Sequence, residues 1–592
     1  MVSLEDLKVL DNNNTKILGA CVGLISCISI YTLAKVRRQY KNERKLAAFV
    51  ITCVIALSNL VAWYLLVSSI LESHRPSIQF QTEMNTNQDN LVLNDAIYDL
   101  PYTKFDVPGF AFFGGNGGGG GDPDNAMEPT CESMQVSSKS PIEASPAFNL
   151  NTEADIPQIR NQLRELSLEN DAYKLFFQDA EQESEDYILH NKWFKFCGSA
   201  TWMSQYQVYF MVNRIIYSKY AERSNPTISV LQAQIFDRDW IEIRDYKFPQ
   251  SSLVFPTVLP HFIDLGEQEE KVIVGSEDPR VILYERQDSV HQIVQEPIIV
   301  FNALRTEIGW ARAMHIYRPL SDPHKITRLD IKDKQRSQVE KNWAPFMDTH
   351  QNKNKDTINF IYNLNPLRVI QCSMGSGECH LISGPQFNQL DANDNAGKLR
   401  GGTNIITLPQ HFISTTAATT AATTATANTG KTYWLGIARS HITNCGCVSE
   451  LYRPHFFIMS RISSRGSAFK LEYVSSLVDF NVNPEPWSMD SGQTTCSDGK
   501  SVLVPNSIAY VATGEGEDYM GVTFSEADRT NKLIHLKGVL KHVRLILDRE
   551  GMIEGEHDEK EENVDLINKV LGQCSTFISD EYCKLAKQLL DW

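Results

Sequence analysis

Gly275-Ser276-Glu277-Asp278-Pro279-Arg280 runs directly into Val281-Ile282-Leu283-Tyr284. Two adjacent carboxylates precede a proline whose ring fixes the local backbone. An arginine follows, close enough to hold a carboxylate ionised. The apolar residues after it have the composition of a strand. The stretch reads as a loop that delivers an acid or base to a rigid strand. On spacing alone the simpler reading is a turn in which Glu277 or Asp278 caps the backbone and pairs with Arg280.

Short apolar runs of the same kind recur on both sides of it. Ile298–Leu304, Ile358–Leu364, Tyr433–Ala438, Phe456–Ile462, Leu471–Leu477 and Ile508–Ala512 alternate with turn residues. Many short strands predict a mainly β domain over 195–555, built as a barrel, sandwich or propeller. Its length exceeds one simple sandwich and suits a propeller of several blades, although no blade-length repeat is visible. Flanking helices are predicted on each side. Ile156, Ile159, Leu163, Leu166 and Leu168 recur at helical spacing within 151–194, as do Val564, Ile567, Val570 and Leu571 within 556–592. The Thr/Ala tract 414–430 reads as a loop insert.

The N-terminal part has a different character. Leu46–Leu71 is a 26-residue run without charge, and Ile17–Ala34 a more dilute one of 18. A spanning helix needs about 20 such residues. The run at 46–71 is therefore expected to be a transmembrane signal-anchor, and 17–34 a weaker second apolar helix. Lys35, Arg37, Arg38, Lys41, Arg44 and Lys45 lie between them against Glu43 alone. The positive-inside rule puts this segment in the cytosol and everything after the anchor in the lumen. Residues 72–150, with the run Gly117–Gly121, read as a flexible lumenal stem.

The 592-residue chain carries a net charge of −16, which argues against a nucleic-acid surface. Nine of its twelve cysteines follow the anchor, so disulfides are expected and an odd one remains. Cys445-Gly446-Cys447 is too tight for an easy mutual bridge and too short for a zinc knuckle. No metal-ligand set is assigned. Asp237-x-Asp239 matches a short metal- and nucleotide-binding pattern that is common by chance, so a divalent metal is left open.

Sugar chemistry needs a carboxylate for proton transfer and cations wherever phosphate is handled. Asp278 is the leading candidate for the first task and Glu277 its competitor. Lys341-Asn342-Trp343 sets a cation, an amide and an aromatic plane side by side, or else a core tryptophan beside a solvated lysine. Arg400-Gly401-Gly402-Thr403 offers backbone N–H groups to a phosphate, or is an ordinary hairpin turn. Arg439-Ser440-His441 closes a strand and Tyr452-Arg453-Pro454-His455 opens the next.

Taken in order, Ile235–Arg244, Gly275–Tyr284, Lys341–Phe346, Arg400–Thr403, Tyr433–His441 and Gly516–Asp528 resemble the fungal β-mannosyltransferases of cell-wall glycan synthesis. More distantly they look like the inverting β-mannoside phosphorylases. The resemblance implies a five-bladed β-propeller that transfers mannose from GDP-mannose, with inversion and in β-1,2 linkage, to mannan, glycolipid or N-glycan acceptors. It implies Asp278 as proton acceptor, directly or through the mannose 3-hydroxyl. Arg244, Asp245 and Asp528 would hold the sugar, and Arg280, Arg312, Lys341 and Arg400 would meet phosphate. Glu277, Asn342, His441 and Tyr452 complete the expected substrate contacts. With the anchor, this implies a Golgi membrane protein of type II. The competing readings are a β-mannoside phosphorylase or hydrolase, and a non-catalytic mannan-binding propeller.

Overall fold

The computed structural model describes residues 91, 93–112, 130–137, 140–249, 251–259, 273–287, 293–348, 356–387, 399–409, 431–445, 448–462, 468–487, 500–514, 516–548 and 561–589. The chain divides into Met1–Thr86 and Asn87–Trp592, and the first unit lies wholly outside the described residues. The apolar runs 17–34 and 46–71, the Gly117–Gly121 run and the 414–430 tract also lie outside them. Among the described residues no helix is long and apolar enough to cross a membrane.

The second unit is mainly β. A short strand β1 (Ile142–Ala144) and helix α1 (Asp155–Glu169) lead into a first antiparallel meander. It comprises β2 (Trp193–Met203), β3 (Val208–Tyr217), β4 (Ile228–Phe236) and β5 (Thr257–Leu259). The second has β6 (Val274–Gln287), β7 (Ile293–Arg305), β8 (Ala311–Arg318) and β9 (Asp322–Arg328). The third has β10 (Ala344–Phe346), β11 (Thr357–Leu364), β12 (Leu367–Ser373) and β13 (Glu378–Ser383). Next come β14 (Leu399–Arg400), β15 (Lys431–Cys445), β16 (Val448–Ile462) and β17 (Lys470–Ser475). The last has β18 (Lys500–Gly514), β19 (Glu517–Glu526) and β20 (Thr530–Lys537). Its free edge takes β1, with Ala144 opposite Leu536. Every run singled out as a strand in the sequence falls largely in one of these, because continuous apolar residues suit strands buried on both faces.

Successive meanders hold one another by polar bonds and apolar clusters. The Val281 N–H donates to Ser199 Oγ at 2.9 Å, joining the second to the first. Ile282 and Ile298 share a cluster with Trp343 and Phe360 of the third. The Ile405 N–H donates to the Pro345 carbonyl at 3.0 Å. The Ile508 N–H donates to Asn404 Oδ1 at 2.9 Å, and the Ala200 N–H to Ser507 Oγ at 2.8 Å, so the last meander meets the first.

The expectation of a flexible stem over 72–150 needs correction for its described part. Gly109–Ala111 pairs with β17, Gln135–Val136 pairs with Gly109–Ala111, and Thr103–Phe105 pairs with β1. Leu91, Leu93, Ile97, Val107 and Phe110 are buried. A short edge strand needs few apolar residues of its own when an existing sheet supplies the partner and the core, so composition misled here.

The helices pack as their spacing predicts. Ile159 and Leu163 of α1 are buried, while Leu168 is 87% exposed and off the packed face. Helix α2 (Glu561–Leu589) buries Ile567, Leu571 and Cys574 beside Trp434, Phe469 and Leu471. Disulfides join Cys131 to Cys574, Cys445 to Cys583 and Cys372 to Cys379. Cys197 is free and buried, and Cys447 and Cys496 lie outside the described residues.

Candidate active site

The register between β6 and β7 breaks between Glu277 and Arg280, inside the Gly275–Arg280 segment. Asp278 takes a left-handed backbone there, φ 50°, which strains a residue with a side chain. The irregularity turns both carboxylates toward Arg214 of β3. Arg214 Nη1 donates to Asp278 Oδ1 at 2.9 Å and Nη2 to Glu277 Oε2 at 2.8 Å. Arg312 Nε donates to Glu277 Oε1 at 2.7 Å. Ser229 Oγ accepts from Arg214 Nε at 3.0 Å and donates to the Ser276 carbonyl at 2.6 Å. Glu277 is thus buried with both oxygens occupied. It fixes Arg214, and Arg214 fixes Asp278. Asp278 itself keeps 28% of its side-chain surface open, on the floor of a recess that water reaches.

Cations and a second carboxylate surround that floor. Asn342 is left-handed at φ 65° and its Oδ1 accepts from Arg439 Nη2 at 2.5 Å. Arg400 lies opposite Arg439 in the β14–β15 ladder. His441 and Tyr452, opposite each other on β15 and β16, stack with centroids 4.4 Å apart and planes 10° from parallel. Asp528 follows Ala527 in the turn between β19 and β20, both left-handed. The Ala527 N–H donates to the carbonyl of Val502, which itself pairs with Tyr452. Among the described residues, neither Lys341 nor Asp528 makes an ion pair through its side chain.

These charges act on one another. Burial raises the Asp278 carboxyl, but Arg214, Arg439, Lys341 and Arg280 outweigh it and hold the group well below the usual carboxylate range. Burial lifts Asp528 above its ordinary value against the pull of Arg214, and the charge of Asp278 adds to the lift. Burial lowers Lys341, opposed by Asp278 and reinforced by Arg439. Two carboxylates pushed in opposite directions beside an unpaired ammonium make a site able to handle a proton and an anion together.

Not every expected residue is here. Arg280 makes no direct bond to Asp278 and acts on it only through its charge: its Nε donates to the Gly402 carbonyl and Nη1 contacts Cys197 Sγ at 3.4 Å. The irregular backbone between Glu277 and Arg280 breaks the alternation that would have set Asp278 and Arg280 side by side, and Arg214 takes the place expected for Arg280. Arg244 and Asp245 also lie elsewhere, in a cleft lined by Gln158, Gln162 and Glu165 of α1, where Arg244 Nε pairs with Glu242 at 3.2 Å. Among the described residues neither Arg244 nor Asp245 bonds to the groups that hold Asp278, and the cleft's other wall is formed by Thr257 and Val258 of β5. Asp237 Oδ1 accepts from the backbone of Asp239 and Ile241, which makes that pattern a turn cap. Trp343 is a core residue against Phe360, whereas Asn342 bonds Arg439 and Lys341 acts electrostatically on Asp278. Gly401 and Gly402 serve close packing, since a Cβ would meet the Asn342 carbonyl at 2.7 Å and the Ile437 carbonyl at 2.2 Å.

A family model described as β-mannosyltransferases matches residues 130–315 and 321–582. The chain belongs to this family. β-Mannosyltransferase 3 of Candida albicans is 46% identical over 561 residues, 93% of each chain. β-Mannosyltransferase 1 of Komagataella phaffii is 29% identical over 517 residues, 83% of this chain and 72% of its own. Among solved structures, a GH43 β-1,3-galactosidase covers 58% of this chain and 90% of its own at 10% identity, with a TM-score of 0.27. In this member of the β-mannosyltransferases, Arg214 and Arg439 join the site without having been chosen from sequence. Arg214 left one signal: a lone arginine inside the apolar strand Val208–Tyr217 must find a buried partner. Arg439 belongs to the Arg439-Ser440-His441 strand end, but only the fold brings it to Asn342 and within reach of Asp278.

Proposed function

We propose that this β-mannosyltransferase moves mannose from GDP-mannose, with inversion and in β-1,2 linkage, onto mannan, glycolipid or N-glycan acceptors. The observation that carries the reading is the recess itself, where Asp278 is gripped by Arg214 and faced by the unpaired Lys341. An acceptor hydroxyl attacks the anomeric carbon, the bond from that carbon to the phosphate oxygen breaks, and GDP departs with the electron pair. The hydroxyl proton passes to Asp278, directly or through the mannose 3-hydroxyl. Lys341, Arg439 and Arg400 take the pyrophosphate charge. That charge offsets the cations that depress Asp278, so the bound donor restores basicity to the carboxylate beside it. Asp528 holds the sugar.

The run of antiparallel meanders, with the last packed on the first and closed by β1, supports a five-bladed propeller. Three disulfides among the described residues support an oxidising, lumenal address, which with the run 46–71 favours a type II Golgi protein. The test is incubation of the purified protein with GDP-mannose and a mannan acceptor, read by linkage analysis. β-1,2-mannosylated product is expected. Turnover only with phosphate and a β-mannoside would replace this reading by a phosphorylase.

A further inference from the structure

Beyond the recess, β15 and β16 continue as a hairpin arm with two unlike faces. Ile442, Cys445 and Leu451 cluster with Cys583 of α2, and the Cys445–Cys583 disulfide fastens the arm there. Alternate residues of a strand share a face. Arg439, His441 and Thr443 therefore line up on β15, with Tyr452 opposite His441 and Glu450 opposite Thr443 on β16. This second face carries, in order, a guanidinium, a parallel ring stack and a carboxylate. Arg439 Nε and His441 Nε2 are buried polar atoms without a hydrogen-bond partner among the described residues. Glu450 is 33% exposed, with Lys500 Nζ 3.5 Å from one of its oxygens.

We propose that this face is a nucleoside subsite: phosphates sit at Lys341 and Arg439, a purine lies against the His441–Tyr452 pair, and Glu450 reads its edge as guanine. The inference rests on the GDP-donor reading and deepens it. From Arg439 to Thr443 the strand advances about 13 Å, of the order of a nucleoside diphosphate's own length. Guanine presents two adjacent N–H donors on its Watson–Crick edge, and an ionised carboxylate accepts both at once. Adenine and uracil present an acceptor there, which a carboxylate repels. Burial, followed by the nearby Arg400, lowers the His441 pKa, so the imidazole is neutral at pH 7 and stacks without adding charge.

The test titrates GDP, ADP and inorganic pyrophosphate into the purified full chain by calorimetry. The wild type should prefer GDP to ADP. Glu450→Gln, an isosteric change at a partly exposed site, should weaken GDP by about tenfold to a hundredfold and erase the preference, with pyrophosphate unchanged. Tyr452→Ala should weaken GDP and ADP alike, by about tenfold to a hundredfold, again sparing pyrophosphate. A Glu450→Gln protein that keeps the GDP preference, or that loses pyrophosphate equally, overturns the subsite and leaves the donor reading standing. A wild type that binds no guanine nucleotide overturns both.

Discussion

Asp278 is held where a carboxylate is a poor base until something neutralises the cations around it. Replacing it by Asn should lower kcat by about a hundredfold to ten-thousandfold, with near-ultraviolet circular dichroism unchanged, since the amide cannot accept the proton. Lys341→Ala tests the electrostatics. The folded pKa of Asp278 is depressed, so the ionised form persists as pH falls, and removing one cation raises that pKa. The acid limb of the kcat/KM profile should therefore move to higher pH, and an unmoved limb would assign it to another group. By the same sign, the stability contributed by Asp278 is complete above the ordinary aspartate pKa and is lost as pH falls through the lowered folded value. The acid itself was legible in the sequence, as were Lys341 and Asp528. Its true partner was not, because Arg214 lies 64 residues away and meets it only through pairing across β3, β4 and β6.

At the scale of elements, the site depends on turns that approach one another too closely for a side chain. A Cβ on Gly402 would meet the Ile437 carbonyl at 2.2 Å, and backbone cannot swing aside as a flexible side chain does. Gly402→Ala should cost about 1–3 kcal/mol in thermal or denaturant unfolding. It should also weaken catalysis, because the Gly402 carbonyl anchors Arg280 across the meanders. The strands themselves were readable from apolar runs bounded by turn residues. The short strands at 103–105, 109–111 and 135–136 were not, since two or three residues carry too little pattern and their order comes from the sheet they join. Nor could spacing reveal which way Arg280 points, because the break in register after Glu277 undoes simple alternation.

For the whole molecule, remote parts of the sequence are fastened to each other. Cys131 and Cys574 are 443 residues apart, and their bridge ties α2 to the segment beside Gln135–Val136. The double change Cys131→Ser, Cys574→Ser should lower stability by about 2–5 kcal/mol, measured as a lower unfolding midpoint that added reductant shifts less than it shifts the wild type. The closure by β1 bears on how the chain is made. Ser145 bonds to His535, 390 residues further on. At about 5–20 residues per second, synthesis leaves this strand waiting roughly 20–80 s for its partner to emerge. Throughout that interval both its edge and the growing sheet are open to mispairing, so the newborn chain needs shelter until its final third has been delivered.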